Sequence, residues 1–206
     1  MASRSTPSAD ASIDGIILAA GQSRRMGRPK TGLRAADGTS FLQRAARTLH
    51  AAGCRRVLVV VNAAAEVVAP NALDVPVEIV VNARAESEQI DSLRRALERL
   101  DEATAAVLVL PVDLPLISPD TAAAVAASFR AGAAPVIVPC HEGVPGHPIL
   151  LARALFAEIL HHDWDEGLHS LLRAHARDTR MVAVKDPGIL IDIDTPDDYV
   201  RHVVPR

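Results

Sequence analysis

Aromatic side chains are scarce in this sequence, since one tryptophan, one tyrosine and three phenylalanines stand among 206 residues. Alanine, valine, leucine and isoleucine must therefore fill the interior, and they supply most of the 49% hydrophobic share. Cysteine is scarce as well, and neither Cys54 nor Cys140 belongs to a pairing or metal-binding motif. We expect two reduced, mostly buried thiols rather than a disulfide or a metal site.

A strong excess of positive charge is also absent. The net charge of −3 gives no bulk attraction for nucleic acid, so any anion-binding site must be local. No apolar run approaches the roughly 20 residues that span a bilayer, and residues 1–12 lack the apolar core of a signal peptide. We expect a cytoplasmic protein that binds neither nucleic acid nor membrane and that has a disordered tail over residues 1–13.

What the sequence does contain is an alternation of strand and helix patterns. Short β-branched runs bounded by glycine, asparagine or proline predict buried strands at Gly15–Ala19, Val57–Val61, Val77–Val81, Ala106–Leu110, Val136–Pro139 and Met181–Val184. Helical patterns lie between them. The alternation indicates a three-layer αβα, Rossmann-like α/β fold with a mostly parallel mixed sheet, in a single domain over residues 14–206.

Local signals mark some boundaries of these elements. Ser118-Pro119-Asp120 and Thr195-Pro196-Asp197 each place a capping residue, a proline and an acid in order, which is typical of a helix start. Further helices are predicted after Ser40 or Thr39 and after Ser87. Residues 143–151 interrupt the alternation and predict an antiparallel excursion.

A loop of small and basic residues follows the first predicted strand directly. It runs Leu18-Ala19-Ala20-Gly21-Gln22-Ser23-Arg24-Arg25-Met26-Gly27-Arg28-Pro29-Lys30. Small residues let backbone N–H groups approach an anion closely, and Arg25 and Lys30 add charge. The spacing matches neither G-x-G-x-x-G nor a Walker loop, because five residues rather than four separate Gly21 from Gly27. Composition alone leaves two interpretations open, a phosphate-binding loop and a flexible basic loop without a ligand.

Three aspartates, Asp113, Asp192 and Asp194, occupy positions from which their carboxylates could lie beside a ligand of that loop. Asp113 follows the predicted strand Ala106–Leu110, and a carboxylate at the end of a central strand can hold Mg²⁺ against a triphosphate. The alternative is an aspartate that caps a turn before the next helix. Asp192 and Asp194 alternate with a period of two, so both face one side of an extended segment. Thr195 already suits the cap of the last helix, which leaves this pair free.

The loop resembles the L-A-A-G-x-S-x-R-M-G-x-x-K signature of the MobA-like NTP transferase family, and every fixed position is filled. That family includes the molybdenum cofactor cytidylyl- and guanylyltransferases and, more distantly, the sugar-phosphate nucleotidyltransferases. Asp113-Leu114-Pro115 and Leu190–Tyr199 resemble the family's D-x-P and D-I-D-T-P-E-D-Y elements. Gly143–Leu150 resembles the G-x-x-G-H-P-V-L segment of the cytidylyltransferase branch. The similarity covers nearly the whole chain from Gly15 to Tyr199.

The resemblance implies a Mg²⁺-dependent enzyme that transfers NMP to a small phosphorylated acceptor and releases pyrophosphate. It implies catalytic roles for Arg25, Lys30 and Asp113, and a metal site at Asp113 with Asp192. The positions it assigns to the nucleotide are Leu18, Ala19, Ala20, Gly21, Gln22, Ser23, Arg25, Met26, Gly27 and Lys30. The positions it assigns to the acceptor are Ser92, Gly146, His147 and Asp194.

The same resemblance bears on substrates and partners. Ala19-Ala20-Gly21 resembles the cytidylyl branch, whereas the guanylyl branch tends to carry Ala-Gly-Gly, so CTP is the expected donor. Molybdopterin is the expected acceptor, and a molybdoenzyme would receive the product. Val144 and Pro145 depart from the basic residues common in that branch, which leaves the acceptor open to another phosphorylated compound of the sugar-1-phosphate type.

Two further interpretations are weighed against the enzyme. A non-catalytic cofactor chaperone or nucleotide sensor can share the fold, but the joint presence of Lys30, Asp113 and Asp192 argues against it. The cluster His161-His162-Asp163-Trp164-Asp165 suggests zinc. It lacks a second ligand pair at typical spacing and is better explained as a solvated helix end.

Overall fold

The computed structural model describes residues 12–21, 23–63, 73–83 and 88–204. Its strands are β1 (Ser12–Ala19), β2 (Val57–Asn62), β3 (Glu78–Asn82), β4 (Thr104–Pro111), β5 (Val136–His141), β6 (Val144–Pro145), β7 (Ile149–Ala152) and β8 (Thr179–Ala183). Its α-helices are α1 (Phe41–Ala51), α2 (Gln89–Leu97), α3 (Pro119–Ala131), α4 (Phe156–His161), α5 (Leu168–Ala174) and α6 (Pro196–His202).

The eight strands form one mixed sheet in the order β3-β2-β1-β4-β7-β5-β6, with β8 paired to β5. β1 pairs in parallel with both β2 and β4, and β7 pairs antiparallel with β4 and with β5. Among the described strands, β6 and β7 therefore run against the direction of the others. These two strands are the antiparallel excursion that the sequence predicts over residues 143–151.

Helices cover both faces of the sheet because its strands alternate between two cores. On β1, Ile13 and Ile17 belong to one buried cluster, and Ile16 and Leu18 belong to the other. Helices α1 and α3 pack on the first cluster, and α2, α4 and α5 pack on the second. This arrangement confirms the predicted three-layer α/β fold with a mostly parallel mixed sheet.

Several helix starts follow the capping chemistry of the sequence. Ser40 and Gln43 form a capping box at α1, and Thr195 and Asp198 form one at α6. The Ser118 side chain accepts a hydrogen bond from the Asp120 N–H at the start of α3. The predicted start at Ser87 lies outside the described residues, and α2 begins at Gln89 without a side-chain cap.

Some expectations are adjusted by the structure. β1 begins at Ser12, so residues 12 and 13 of the predicted tail belong to the sheet, and the rest of the tail lies outside the described residues. Cys54 and Cys140 are both free thiols, and burial raises the pKa of Cys54 to about 12, so this thiol is unreactive. In the described part of the chain, no helix has the length and apolar character needed to cross a membrane.

Candidate active site

The chain order places a crevice at the carboxyl ends of β1 and β4. From β1 the chain continues to β2 and β3 on one side, and β4 lies on the other side, so the connections diverge at this point. Ligands of open α/β sheets bind where connections diverge in this way. A cleft of about 560 Å³ opens there, lined by Leu18, Ala19, Ala20, Gly21, Ser23, Pro29, Lys30, Thr31, Asn62, Ala63, Ala83, Glu88, Gln89, Ser92, Pro111, Val112 and Asp113.

Lys30 joins the loop after β1 to two carboxylates from distant parts of the chain. Its Nζ donates to Asp113 Oδ2 at 2.9 Å and forms a second ion pair with Asp194 Oδ1. The lysine side chain is only 11% exposed. Arg25, 72% exposed, binds the other oxygen of Asp194 at 2.7 Å. The two basic residues of the loop and two of the three predicted acids thus meet at one edge of the sheet.

Backbone hydrogen bonds hold the C-terminal acids against Asp113. The Ile193 N–H donates to the Asp113 carbonyl at 2.9 Å. Asp198 Oδ2, in the first turn of α6, accepts from the Asp194 N–H at 3.3 Å. The position of Asp194 is therefore set by the end of β4 on one side and by the start of α6 on the other.

The loop that follows β1 contains a tight turn that uses some of its own N–H groups. The Ser23 carbonyl accepts from both Met26 and Gly27 N–H at 3.0 Å, and Ser23 Oγ accepts from the Lys30 N–H at 3.3 Å. Ser23 and Gly27 both have positive φ, which the turn requires. Gln22, predicted to bind nucleotide, lies outside the described residues.

Met26 and Gly27, both predicted to bind nucleotide, take part in this turn. Met26 is buried in the core under the loop, and neither residue lines the cleft. Their N–H groups bond to the Ser23 carbonyl and close the turn. Arg25 also stands outside the cleft lining, paired with Asp194 at its edge.

The surroundings of Lys30 and Asp192 raise the pKa of each side chain. Burial by itself lowers the pKa of Lys30, but hydrogen bonds and charges from Asp194 and Asp113 outweigh it, so the pKa lies above its ordinary value. Partial burial and the negative charges of Asp113 and Asp194 raise the pKa of Asp192. Among the described residues Asp192 has no ion-pair partner of its own, so the cluster carries more carboxylate than Lys30 and Arg25 neutralise.

The predicted acceptor residues fall into two groups. Gly146 and His147 lie between β6 and β7, away from the cleft lining, where the His147 N–H donates to the Ile189 carbonyl at 3.3 Å. A Cβ on Gly146 would stand 2.4 Å from that same carbonyl, so only glycine fits. Burial lowers the pKa of His147 to about 4, against the opposing charge of Asp113. His147 is therefore neutral at physiological pH.

Ser92 belongs to the other group, because it lines the cleft beside the phosphate loop. Its Oγ accepts a hydrogen bond from Asn82 Nδ2 at 3.2 Å. Asp194, predicted to bind the acceptor, pairs with Lys30 and Arg25 of the loop.

Asn62 is a cleft residue that sequence analysis missed. It ends β2, and its Nδ2 donates to the Ala20 carbonyl at 3.1 Å. Its Oδ1 is buried and has no hydrogen-bond partner among the described residues. The available signal was an asparagine at the end of each of two neighbouring strands, Asn62 on β2 and Asn82 on β3, which are paired in register.

The carboxylates of Asp113 and Asp192 can be compared with the ligands that a magnesium ion prefers. No cluster of three or more His, Cys, Asp or Glu side chains in the described ranges is arranged to hold a metal ion alone. Mg²⁺ is commonly held by one or two carboxylates together with substrate phosphates and water. Asp113 and the unpaired Asp192 are hard oxygen donors of this kind, and the surplus of negative charge that raises the Asp192 pKa would be relieved by a cation. The residues present fit a magnesium ion that arrives with a triphosphate.

Comparison with known proteins decides the class of this site. Residues 15–179 match the MobA-like NTP transferase domain. The chain belongs to this family. It is therefore a nucleotidyltransferase. The loop after β1 and Asp113 lie within the matched segment, and Asp192 and Asp194 follow it.

Curated relatives of the chain differ in what they are described as doing. The chain is 28% identical to the molybdenum cofactor cytidylyltransferase of Escherichia coli, over 91% of this chain and 94% of that protein. It is 27% identical to the nicotine blue oxidoreductase of Paenarthrobacter nicotinovorans, over 92% and 95%. It is 30% identical to the phosphoenolpyruvate guanylyltransferase of Rubrobacter xylanophilus, over 78% and 77%.

Solved structures share the whole fold. Rv0371c from Mycobacterium tuberculosis superposes with a TM-score of 0.80 at 29% identity, covering 92% of this chain and 97% of that one. The same protein in complex with manganese gives a TM-score of 0.77 at 27% identity, over 93% and 98%. A nucleotidyl transferase from Methanothermobacter, at 21% identity and a TM-score of 0.76, shows the same fold.

Proposed function

We propose that this enzyme transfers CMP from CTP to the phosphate of molybdopterin and releases pyrophosphate. The observation that carries the proposal is the Lys30 ammonium, which lies between Asp113 and Asp194 at the mouth of a cleft lined by Ala19, Ala20 and Gly21. A cation, a carboxylate and small loop residues at one sheet edge are the groups that nucleotidyl transfer requires.

In the proposed reaction an acceptor phosphate oxygen attacks the α-phosphorus in line. A P–O bond forms to the acceptor, and the bond to the departing pyrophosphate breaks. The protein supplies no nucleophile, so its work is positioning and charge neutralisation. Lys30, kept protonated by its raised pKa, and Arg25 neutralise phosphate oxygens. Both must exchange their Asp194 contact for the triphosphate.

The carboxylates are proposed as the holders of the magnesium ion that accompanies the nucleotide. Asp113 and Asp192 would bind it, and the bound ion would supply Lewis-acid neutralisation of the phosphate charge. The manganese complex of Rv0371c supports the use of a divalent ion at this fold. Asp194 is proposed to keep the two basic side chains in place before substrate arrives.

The donor base is proposed to lie against Ala19 and Ala20, where small side chains expose backbone groups. Asn62 adds a feature to this surface, because its Oδ1 is a buried acceptor without a described partner. An unpaired buried acceptor costs about 1–3 kcal/mol, which a ligand donor would recover. The exocyclic amino group of cytosine is such a donor, and uracil carries a carbonyl oxygen at the same position. Together with the Ala-Ala-Gly sequence and the E. coli relative, this supports CTP.

The acceptor is the weaker half of the proposal. The Gly146-His147-Pro148 segment and the cytidylyltransferase relative support molybdopterin. The exposed Val144 of β6, in place of a basic residue, and the phosphoenolpyruvate guanylyltransferase relative favour a different phosphorylated acceptor as the second candidate. Both candidates use the same donor site and the same reaction.

A pyrophosphate-release assay tests the function. Each of the four NTPs is combined with molybdopterin, phosphoenolpyruvate and common sugar phosphates in the presence of Mg²⁺. We expect release that requires CTP and molybdopterin together. Pyrophosphate release with another acceptor would change the proposed acceptor and keep the transferase activity. If no combination of NTP and acceptor releases pyrophosphate, the catalytic proposal is contradicted.

Donor choice has its own measurement. Calorimetric titration with Mg²⁺ present should show CTP binding about ten- to hundredfold more tightly than GTP, since one hydrogen-bonded base edge contributes about 1–3 kcal/mol. Asn62→Ala should reduce the preference for CTP over UTP, because it removes the acceptor for the cytosine amino group, and Thr31→Ser, a mild change in the same cleft, should leave it unchanged. Tighter binding of GTP by the wild type would overturn the cytidylyl assignment.

A further inference from the structure

Tyr199, the only tyrosine of the chain, contacts three places on the segment that follows β1. Its hydroxyl donates to the Arg34 carbonyl at 2.7 Å. The Arg28 guanidinium lies over its ring, 5.5 Å from the centroid, within the range of a cation–π contact. Its ring also packs against Phe41, the first residue of α1, at 6.1 Å between centroids. One side chain therefore binds this segment before and after Lys30.

Between these contacts the segment is short and tightly bonded. Lys30 begins a 3-10 turn that ends at Gly32, and the Leu33 N–H donates to the Lys30 carbonyl at 3.1 Å. The Phe41 N–H in turn donates to the Leu33 carbonyl at 2.8 Å. Arg28 and Arg34 stand two and four residues from Lys30, so the contacts of Tyr199 hold the backbone on both sides of the lysine.

Tyr199 is itself fixed to the acidic side of the site. It lies in α6, whose first turn begins directly after Asp194. The capping box ties Asp198 to Thr195, and Asp198 also accepts from the Asp194 N–H. The next backbone bond, from Ile193 to Asp113, ties this segment to β4. Hydrogen bonds thus fix the position of the helix that carries Tyr199 relative to Asp113 and Asp194, the carboxylates that Lys30 binds.

We propose that Tyr199 is a positioning residue for the nucleotide, because it locks the Lys30 turn to α6 and so sets the Lys30 ammonium against Asp113 and Asp194. The inference rests on the proposed role of Lys30 at the triphosphate. Tyr199 acts through Lys30 and touches no reacting atom. Its loss should therefore weaken the nucleotide site and leave the acceptor site intact.

The test compares Tyr199→Phe, Tyr199→Ala and Val200→Ala by calorimetric titration with CTP and Mg²⁺ and by steady-state kinetics with each substrate varied. Tyr199→Phe keeps the ring contacts and loses one hydrogen bond, which weakens CTP affinity about fivefold. Tyr199→Ala loses the ring as well and should weaken affinity about thirtyfold or more. Val200, next on the helix and 64% exposed, is the matched control and should bind as the wild type does.

A purely structural role for Tyr199 makes a different prediction. It would lower the melting temperature and raise the KM for CTP and for the acceptor together, with no partial rescue in Tyr199→Phe. That pattern, or wild-type CTP affinity in Tyr199→Ala, overturns the proposal.

Lys30→Ala, alone and combined with Tyr199→Ala, separates this proposal from the proposed function. If Tyr199 acts through Lys30, the double variant binds CTP no more weakly than Lys30→Ala does. Independent, additive losses contradict the coupling alone. Wild-type CTP affinity in Lys30→Ala contradicts the assignment of Lys30 to the triphosphate, and the coupling falls with it.

Discussion

The strands β1 and β4 carry a cluster of charged side chains at each end, and the two clusters differ. At the amino end Asp14, fully buried, accepts from Arg55 Nε at 3.1 Å, from Arg55 Nη2 at 2.9 Å and from Thr104 Oγ1 at 2.7 Å. Arg55 also pairs with Asp101 at 2.9 Å. At the carboxyl end Lys30 and Arg25 meet Asp113 and Asp194. Asp192 lies close by, and its pKa is raised by partial burial and by the charges of Asp113 and Asp194.

What separates the two clusters is how completely their groups are satisfied. Both oxygens of Asp14 are bonded, and hydrogen bonds with Asp14 and then Asp101 raise the pKa of Arg55, so this network is closed. In the other cluster Asp192 has no ion-pair partner among the described residues, and Lys30 is held by side-chain contacts that a phosphate can replace. Breaking a closed buried network is costly because it leaves a charge uncompensated, whereas an open network of similar composition is available for a ligand.

The largest expected effect is a loss of stability at the amino end. Asp14→Ala should lower the free energy of unfolding by about 3 kcal/mol, the lower end for breaking a buried pair, because Arg55 keeps Asp101 as a partner. Urea denaturation measures the change. CTP affinity at low temperature should stay at the wild-type value, and Asp101→Ala should destabilise less than Asp14→Ala because Asp101 is exposed. A stable Asp14→Ala protein would contradict the structural role of this network.

The next largest effect lies at the carboxyl end and concerns turnover. Asp113→Ala and Lys30→Ala should each reduce kcat/KM about a hundredfold or more, the loss typical of removing one charge-stabilising group. That loss is about 2.7 kcal/mol of transition-state stabilisation. In Asp113→Ala stability should change little, because Lys30 keeps Asp194 as a partner. Wild-type turnover in Asp113→Ala would remove this residue from the proposed metal site.

The fold was largely predictable because its signals are local. Alternating β-branched runs and capping residues at Ser118 and Thr195 need no tertiary information, and the strands they predict differ from the observed ones by a few residues at the ends. Helix α4 was not predicted, since its six residues have no side-chain cap. The order of β7 between β4 and β5 also escaped prediction, because spacing along the chain does not determine which strand an antiparallel excursion pairs with.

The part of the site that depends only on where strands end was predictable from the sequence. Parallel strands end at the same edge of a sheet, so a basic loop after β1 and Asp113 after β4 had to meet. Partner choice was not predictable, because the bond from Ile193 to Asp113 decides that Asp194 faces Lys30. The burial of Met26 was not predictable either, because the signature does not distinguish a loop residue that faces a ligand from one that faces the core.

A smaller effect concerns the response of the carboxyl end to pH. The pKa of His147 falls from an ordinary value near 6.5 to about 4 through burial, so the unfolded chain binds a proton that the folded one does not. This contribution to stability is present above pH 6.5 and is lost as the pH falls from 6.5 toward 4. His147→Gln should therefore lose less stability than the wild type between pH 7 and pH 5, measured by thermal unfolding. Equal losses would place the pH dependence on other groups.

The smallest expected effect distinguishes the two acids that follow each other near the C-terminus. Asp194 is occupied by Lys30 and Arg25, whereas Asp192 has no described partner and a pKa raised by partial burial and by Asp113 and Asp194. A cation that enters with CTP therefore meets Asp192 without first displacing a side chain. Asp192→Asn should weaken apparent Mg²⁺ affinity about fivefold, which corresponds to about 1 kcal/mol, and Asp194→Asn should weaken it less. A magnesium titration of turnover at saturating CTP measures both variants, and the larger effect in Asp194→Asn would transfer the proposed ligand role from Asp192 to Asp194.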